Sequence, residues 1–376
     1  MSRIRVLQVV WRLARGGGQP LVVRELLRHI DRSRFEVHVC TVRPLFEEDR
    51  VADLGEGISY HALNLEGRAT MKLRARALAG IARVVRRVRP HVLHAHGGTA
   101  WYSVPAALLR PGAARLIEVH DAPQSRRLRP LNYSVERFMV RHFSFRPMAH
   151  SGAVRDGLAE AWGLPQERIV RVGLGIDLVR FAAPTRSRAA VRAELGIPEG
   201  GILVTYVARL VPEKRPELFL DVAARIAQQR QNVFFALVGV GSQLDECRGL
   251  VRRLGLDARV RIPGFVEDLP STYHASDLFL STSAYEGFGL AIAEAMASGL
   301  PVVSTRVGGV GDVIGSAGVL VPSGDPQVLA GHVLALLDDP AGAADLGRRA
   351  RERAREHLDV RETARGFEAA YRELVA

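Results

Sequence analysis

Two glutamates bracket an apolar segment that opens with glycines late in the chain. Glu286 and Glu294 stand eight residues apart, with Gly287 and Gly289 between them. The preceding run reads as a strand, and the glycines let the backbone approach a ligand closely. The helix predicted next offers free N–H groups and a positive dipole end, which suit phosphate. The pattern indicates a nucleotide-sugar site, with Glu294 on ribose hydroxyls and Glu286 on a second polyol. The alternative is that Glu286 caps the helix and Glu294 is solvated.

Cations and further glycines follow other predicted strands. Arg209 and Lys214 come after "ILVTYVAR", where an arginine and a lysine can clamp a diphosphate or merely solvate a loop. Gly239 follows "VFFALV" and predicts another close backbone approach. Gly17 and Gly18 lie between the first strand and first helix, where they indicate either a phosphate loop or a plain tight turn.

Strand-like and helical runs alternate from one end of the chain to the other. The strand runs are continuous in Val, Ile and Leu, which is typical of parallel sheets covered by helices on both faces. The alternation lapses over residues 173–190, so we predict two α/β domains, residues 1–174 and 175–357, and a last helix over 358–376. Ligands of such sheets bind beyond the carboxyl ends of the strands, and we expect the two sheets to face each other across a cleft.

The composition argues against a disulfide-rich protein and against a membrane-spanning protein. The chain has 376 residues and two cysteines, Cys40 and Cys247, which form neither a disulfide framework nor a thiolate metal site. No apolar run reaches the length of a membrane span, and the first run reads as a strand rather than a signal peptide. We therefore predict a cytoplasmic protein, with peripheral contact at the inner face of the membrane left open.

Positive charge is concentrated in the first half. Residues 1–175 hold 29 Lys and Arg against 15 Asp and Glu, whereas residues 176–376 hold 23 against 25. The imbalance indicates an anionic membrane surface, a charged acceptor or nucleic acid, or simply an arginine-rich composition. No nucleic-acid-reading module is recognisable, so nucleic acid is not an expected partner.

Three histidines close together in the sequence could belong to a metal site. His94 and His96 share one face of a predicted strand, and His91 faces the other way. The sequence shows no carboxylate that completes the set, so we assign the histidines a structural or acceptor-side role. No Asp-x-Asp pair is present to hold a nucleotide-bound divalent ion. We predict no metal and no cofactor, with Arg209 and Lys214 neutralising the diphosphate instead.

The chain resembles the retaining glycosyltransferases of family 4, also called glycosyl transferases group 1. The resemblance covers nearly the whole chain and is carried by "GGGQPLVV", "VHDAP", "VGLGIDLVRF", "VARLVPEKR", "LVGVGSQ" and the long stretch from "VRIPGFVEDL" to "YEGFGLAIAEAMASGLPVVST". It implies the GT-B fold, in which two Rossmann-like parallel-sheet domains face each other across a cleft. It also implies that the last helix crosses back to the first domain.

The resemblance assigns roles to individual residues. It implies catalytic roles for the four residues His120, Glu286, Arg209 and Lys214, with His120 near the donor sugar. The implied donor-binding set adds Glu294, which would contact the ribose, and a glycine loop that would approach the diphosphate. It also includes main-chain segments that would lie over the phosphates and beside the base. The remaining members of that set are Gly17, Gly18, Gly239, Phe265, Val266, Gly287, Phe288, Gly289 and Leu290.

The implied activity is transfer of a sugar, with retention at the anomeric carbon. The donor would be a UDP-, GDP- or ADP-sugar, and the acceptor a glycan, a lipid-linked glycan or a small molecule. The alternative is a non-catalytic GT-B protein that binds a nucleotide sugar or a glycan. An enzyme of the same fold that phosphorylates or epimerises sugars would need chemistry that these residues do not show.

Overall fold

The chain folds into two compact α/β units. The computed structural model describes residues 3–13, 18–44, 57–67, 70–119, 130–322 and 324–376. The first unit comprises Met1–Leu174 together with Val360–Ala376, and the second comprises Gly175–Asp359. The chain therefore leaves the first unit once and returns to it with its last helix.

The first unit is built on a seven-stranded parallel sheet of order β3-β2-β1-β4-β5-β6-β7. The order reverses between β1 and β4, as in doubly wound folds. The strands are β1 Ile4–Val10, β2 Phe35–Thr41, β3 Ser59–Ala62, β4 Val92–His96, β5 Ala114–Glu118, β6 Arg146–Ala149 and β7 Val170–Arg171. Strand β3 was not predicted from the sequence, because this four-residue edge strand is half exposed and lacks a continuous apolar run.

Helices cover this sheet. They are α1 Gly18–His29, α2 Met71–Val88, α3 Val104–Leu109, α4 Pro130–His142, α5 Gly152–Trp162 and the last helix, α15 Val360–Val375. In α2 the side chain of Thr70 accepts the first-turn N–H of Leu73, and apolar residues at helical spacing bury one face. In α15 the rings of Phe367 and Tyr371 are fully buried within the first unit.

The second unit has a six-stranded parallel sheet of order β10-β9-β8-β11-β12-β13. Its strands are β8 Ile202–Val207, β9 Val233–Val238, β10 Val260–Gly264, β11 Leu278–Ser281, β12 Val302–Thr305 and β13 Val319–Val321. Its helices are α6 Leu178–Ala182, α7 Arg188–Glu194, α8 Pro216–Gln229, α9 Leu244–Arg253, α10 Leu269–Ala275, α11 Leu290–Ala297, α12 Val310–Ile314, α13 Pro326–Asp338 and α14 Pro340–His357. The prediction of two parallel-sheet α/β domains is confirmed.

The strand order of the second sheet reverses between β8 and β11, which lie side by side. Loops that leave the carboxyl ends of two such strands diverge to opposite faces of the sheet and leave a crevice between them, where ligands of doubly wound folds bind. The crevice of the second unit therefore lies among the residues that follow β8 and β11.

Among the helices in the described ranges, none combines the length and apolar character needed to cross a bilayer.

Candidate functional site

Lys214 and Glu286 meet at this strand reversal. Lys214 follows β8, Glu286 follows β11, and the Lys214 Nζ lies 2.6 Å from the Glu286 Oε1. Both side chains are largely buried, with exposed fractions of 18% and 16%. Two residues that the sequence analysis singled out from segments 72 positions apart are thus joined in one ion pair at the crevice.

The loop that carries Lys214 is rigidly placed. Residues Pro212–Lys214 form one turn of 3₁₀ helix, and the hydroxyl of Tyr206 in β8 donates to the Lys214 carbonyl at 2.8 Å. The backbone N–H of Ala284 donates to the Glu213 carbonyl at 2.9 Å, which ties the loop after β8 to the loop after β11. Arg209 lies earlier in the same loop and is exposed.

Glu286 is held by contacts that the sequence analysis did not foresee. The Ser283 hydroxyl donates to the Glu286 Oε1 at 2.8 Å, and the Gly309 N–H donates to the Glu286 carbonyl at 3.0 Å. Gly308 has φ +47°, and a Cβ there would lie 1.9 Å from the Glu286 carbonyl oxygen. Only glycine fits such a close approach. No sequence signal separates this glycine from an ordinary turn glycine.

Gly239 makes its close approach to the protein's own backbone. Its φ is +136°, and a Cβ there would lie 1.8 Å from the Ala208 carbonyl oxygen. Its N–H donates to the Gly264 carbonyl at 2.8 Å, so it links the ends of β8 and β10. Phe265 follows β10 and is 59% exposed, whereas Val266 packs partly against the apolar cluster around Ala236 and Val238. Phe265 therefore lies at the surface, one residue after the Gly264 carbonyl that Gly239 contacts, and its role beside the base stays a prediction.

No side chain in the described part of the chain caps the start of helix α11. Gly289 is its N-cap residue, at φ +103°, and Leu290 starts the helix. Phe288 is buried, and Gly287 is half-buried. The Glu286 carboxylate is bound to Ser283 and Lys214, so the interpretation of Glu286 as a helix cap is wrong. Since no side chain of the described residues caps this first turn, its N–H groups suit an anion, as predicted from the sequence.

Glu294 lies in the middle of α11 and is buried, with 6% of its surface exposed. The Tyr273 hydroxyl donates to its Oε2 at 2.9 Å. Burial raises the pKa of the Glu294 carboxyl to about 7, although the Tyr273 hydrogen bond and the charge of Arg180 oppose this shift. The alternative of a solvated Glu294 is therefore wrong. Tyr273 was not predicted from the sequence, because its hydrogen bond to Glu294 joins two different helices.

Two family models together span most of the chain. The model described as Glycosyltransferase Family 4 matches residues 16–180. The model described as Glycosyl transferases group 1 matches residues 187–356. The chain belongs to the family 4, group 1 glycosyltransferases.

Two relatives and one solved structure are similar to this glycosyltransferase. D-inositol 3-phosphate glycosyltransferase of Kineococcus radiotolerans is 29% identical over 382 residues, covering 90% of this chain and 86% of the relative. D-inositol 3-phosphate glycosyltransferase 2 of Catenulispora acidiphila is 36% identical over 222 residues, which cover 56% of this chain and about half (52%) of the relative. Anabaena HepE in complex with UDP-glucose superposes with a TM-score of 0.83 at 22% identity, covering 99% of this chain and 100% of HepE. This likeness confirms the GT-B fold.

Three residues of the predicted set belong to the first unit of the glycosyltransferase. His120 and Gly17 lie outside the described residues. Gly18 is exposed and is the first residue of α1, so it lies at the start of the helix rather than in the loop predicted to precede it. The roles assigned to all three stay predictions.

The expectation that no carboxylate completes the histidine set is wrong. Glu118 at the end of β5 lies beside His96 at the end of β4, and the His96 Nδ1 is 2.5 Å from the Glu118 Oε2. His94, His96 and Glu118 are all buried. His91 has another role, since its Nδ1 accepts the backbone N–H of Arg5 at 3.0 Å.

Proposed function

We propose that this glycosyltransferase moves a sugar from a nucleoside diphosphate donor to an acceptor with retention at the anomeric carbon. The observation that carries the proposal is the Lys214–Glu286 ion pair at the strand reversal of the second unit. A cation suited to diphosphate and a carboxylate suited to sugar hydroxyls stand there side by side. The UDP-glucose bound by the structurally similar HepE supports a UDP-sugar as the first donor to test.

The donor would rearrange this pair. A diphosphate that enters between the loops attracts the Lys214 ammonium, which frees the Glu286 carboxylate to accept hydrogen bonds from sugar hydroxyls. Glu286 keeps its orientation because its carboxylate accepts the Ser283 hydroxyl and its carbonyl accepts the Gly309 N–H. The ion pair therefore keeps both groups in place before the donor binds.

Negative charge grows on the leaving diphosphate as the glycosidic bond breaks. Arg209, Lys214 and the first-turn N–H groups of α11 would stabilise that charge, so we propose that transfer needs no divalent ion at the diphosphate. Glu294 would accept the ribose hydroxyls from within α11. His120 would act near the donor sugar, and Gly17 and Gly18 would approach the diphosphate.

A transfer assay tests the function. UDP-, GDP- and ADP-sugars are offered without added divalent ion, and inositol 3-phosphate serves as the first acceptor because two relatives carry that name. We expect nucleoside diphosphate release that depends on the acceptor, and a product whose anomeric configuration by NMR equals that of the donor. Donor binding without turnover would favour the non-catalytic alternative. Inverted product would refute retention.

We also propose that the first unit contacts an anionic membrane or acceptor. Helix α2 contains no acidic residue. Six cationic side chains on α2 and at its end are exposed, namely Lys72, Arg76, Arg83, Arg86, Arg87 and Arg89. The segment 125–130, also basic, lies almost wholly outside the described residues. Each cation near anionic lipid contributes about 1 kcal/mol, which salt weakens.

Vesicle sedimentation is expected to show binding to anionic lipid at low salt that declines as salt rises. Neutralising three arginines of α2 together, Arg83→Gln, Arg86→Gln and Arg87→Gln, should weaken binding substantially. The matched control neutralises three exposed arginines of the second unit, Arg225, Arg252 and Arg253, and should bind like the parent protein. Equal binding to neutral lipid, or equal losses in the two triple variants, would contradict the proposal.

A further inference from the structure

Two buried hydroxyl groups hold the main chain of the loop that carries Lys214. The Tyr206 hydroxyl donates to the Lys214 carbonyl at 2.8 Å, and the Thr282 hydroxyl donates to the Arg215 carbonyl at 3.0 Å. At most 1% of the surface of either residue is exposed. Tyr206 belongs to β8 and Thr282 directly follows β11, so the two donors reach the loop from the two strands at the reversal.

The Lys214 ammonium group contacts the segment that also fixes the main chain of its loop. Its Nζ lies 2.6 Å from the Glu286 Oε1 and donates to the Tyr285 carbonyl at 3.4 Å. The segment from Thr282 to Glu286 therefore contacts this loop both at the main chain and at the ammonium group. Because a lysine side chain is a flexible four-carbon stem, the position of its main chain decides where the ammonium group can be held.

Arg215 has a backbone conformation that its surroundings must enforce. Its φ is +48°, in the left-handed region, which residues other than glycine rarely adopt. Such conformations persist where neighbouring groups fix them, and they cluster at functional sites. Arg215 comes directly after Lys214, and its carbonyl is the one that the Thr282 hydroxyl binds. The Thr282 hydroxyl therefore helps to fix the turn from which the Lys214 side chain extends to Glu286.

Both hydroxyl groups act as donors to carbonyl oxygens, which can only accept. Burial raises the pKa of the Tyr206 hydroxyl well above its usual value, and the charge of Glu286 adds to this shift. Tyr206 therefore keeps its proton, and its bond to the Lys214 carbonyl is maintained at neutral pH.

We propose that Tyr206 and Thr282 are positioning residues for sugar transfer, which hold the main chain at Lys214 so that its ammonium group meets the leaving diphosphate. This inference rests on the role proposed above for Lys214. The hydroxyl groups bind the main chain and not the ammonium group, so the loop can stay in place while the ammonium group moves from Glu286 to the donor. Stabilisation of a developing charge depends on donors that are held in place in this way.

Substitutions that remove one hydroxyl group and little else test the proposal. Thr282→Val and Tyr206→Phe should each lower turnover at saturating donor by roughly 10–100-fold, because a small displacement of a catalytic group is costly. Thr282→Ser retains the hydroxyl and should keep turnover close to that of the parent protein. Normal turnover in both Thr282→Val and Tyr206→Phe would overturn the proposal.

A matched control separates positioning from stability, since any buried hydroxyl that loses its partner affects folding. Thr205 is a fully buried threonine of β8, and its hydroxyl lies 2.6 Å from the Ser276 hydroxyl, away from the loop with Lys214. Thr205→Val should lower the melting temperature and leave turnover unchanged. Equal losses of turnover in Thr205→Val and Thr282→Val would show that Thr282 has a merely structural role.

The Lys214→Ala background shows whether Thr282 acts through Lys214. Adding Thr282→Val to Lys214→Ala should change turnover by less than about twofold, because residues that act as a unit are not additive. Losses that multiply would refute the proposal. If Lys214→Ala alone transfers sugar at the parent rate, the role proposed for Lys214 fails and this inference fails with it. If Lys214→Ala is slow and Thr282→Val is normal, only this inference fails.

Crystal structures of the ligand-free variants give a readout that needs no activity. The Lys214 Nζ lies 2.6 Å from the Glu286 Oε1 in the parent protein. We expect this distance to exceed about 4 Å in Thr282→Val, beyond the reach of an ion pair, and to be kept in Thr282→Ser. Tyr206→Phe serves the same comparison if Thr282→Val folds poorly. An unchanged ion pair and an unchanged loop in the variant lacking the hydroxyl would overturn the proposal.

Discussion

Arg209→Ala and Lys214→Ala are each expected to slow sugar transfer by roughly 10²–10³-fold, because one lost donor to a developing negative charge costs about 2.7–4 kcal/mol. Both residues follow β8 at the strand reversal, where the leaving diphosphate would lie. The measurement is the turnover number at saturating donor. Arg252→Ala, which removes an exposed arginine of α9 in the same unit, is the control and should leave turnover unchanged.

The two variants should differ in stability. Arg209 is exposed, so its loss should hardly change the melting temperature of the ligand-free protein. Lys214 lies 2.6 Å from the largely buried carboxylate of Glu286, so Lys214→Ala should lower the melting temperature as well. Near-normal transfer by a folded Arg209→Ala, Lys214→Ala double variant, without added divalent ion, would refute the proposed role of the two residues at the diphosphate. Recovery of activity with magnesium would support the charge argument but refute metal independence.

Glu294→Ala is expected to weaken donor binding at least tenfold, because hydrogen bonds to a charged group are worth about 1.5–3 kcal/mol. Calorimetry with UDP and with the active donor measures the loss. Glu246→Ala, an exposed glutamate of α9, is the matched control. Tyr273→Phe should give a smaller loss, since it removes the hydroxyl that positions the Glu294 carboxylate. Unchanged nucleotide affinity in a folded Glu294→Ala protein would refute the ribose assignment.

The stability of the protein and its affinity for the donor should both depend on pH, because the Glu294 carboxyl is buried. The pKa of the Glu294 carboxyl rises from an ordinary 4.5 to about 7 in the folded protein, mainly because the group is buried. The folded chain therefore binds this proton more tightly than the unfolded chain, and stability falls as pH rises from about 4.5 through 7. Donor affinity should change in the opposite direction, weakening below about pH 7 as the carboxylate is protonated.

Glu294→Gln separates these two effects. At pH 8 the ligand-free variant should be more stable than the parent by up to roughly 3 kcal/mol, because it no longer buries an ionised carboxylate. It should nevertheless bind the donor more weakly. Urea unfolding at pH 5 and pH 8 measures the difference, which should nearly vanish at pH 5. Equal stability of the two proteins at pH 8 would contradict the raised pKa.

Sequence alone determined the parallel α/β class and the strands that carry the candidate site. The run "IRVLQVV" predicted β1 with its true bounds, and "LFLSTS" placed Glu286 beyond the carboxyl end of β11. These predictions succeeded because a strand buried on both faces must be apolar along its whole length, which a single segment displays. The glycine-opened helix start with Glu294 inside was visible for the same local reason.

Tertiary structure decided the contacts between segments. The Lys214–Glu286 pair, the Tyr273 hydroxyl on Glu294 and the approach of Gly308 to Glu286 each join residues that are distant in the chain. Glu118 shows the reason most clearly, because it lies 22 residues from His96 yet 2.5 Å from its ring. Such neighbours depend on strand order and register, which come from the packing of the whole sheet and leave no periodic pattern in the local sequence.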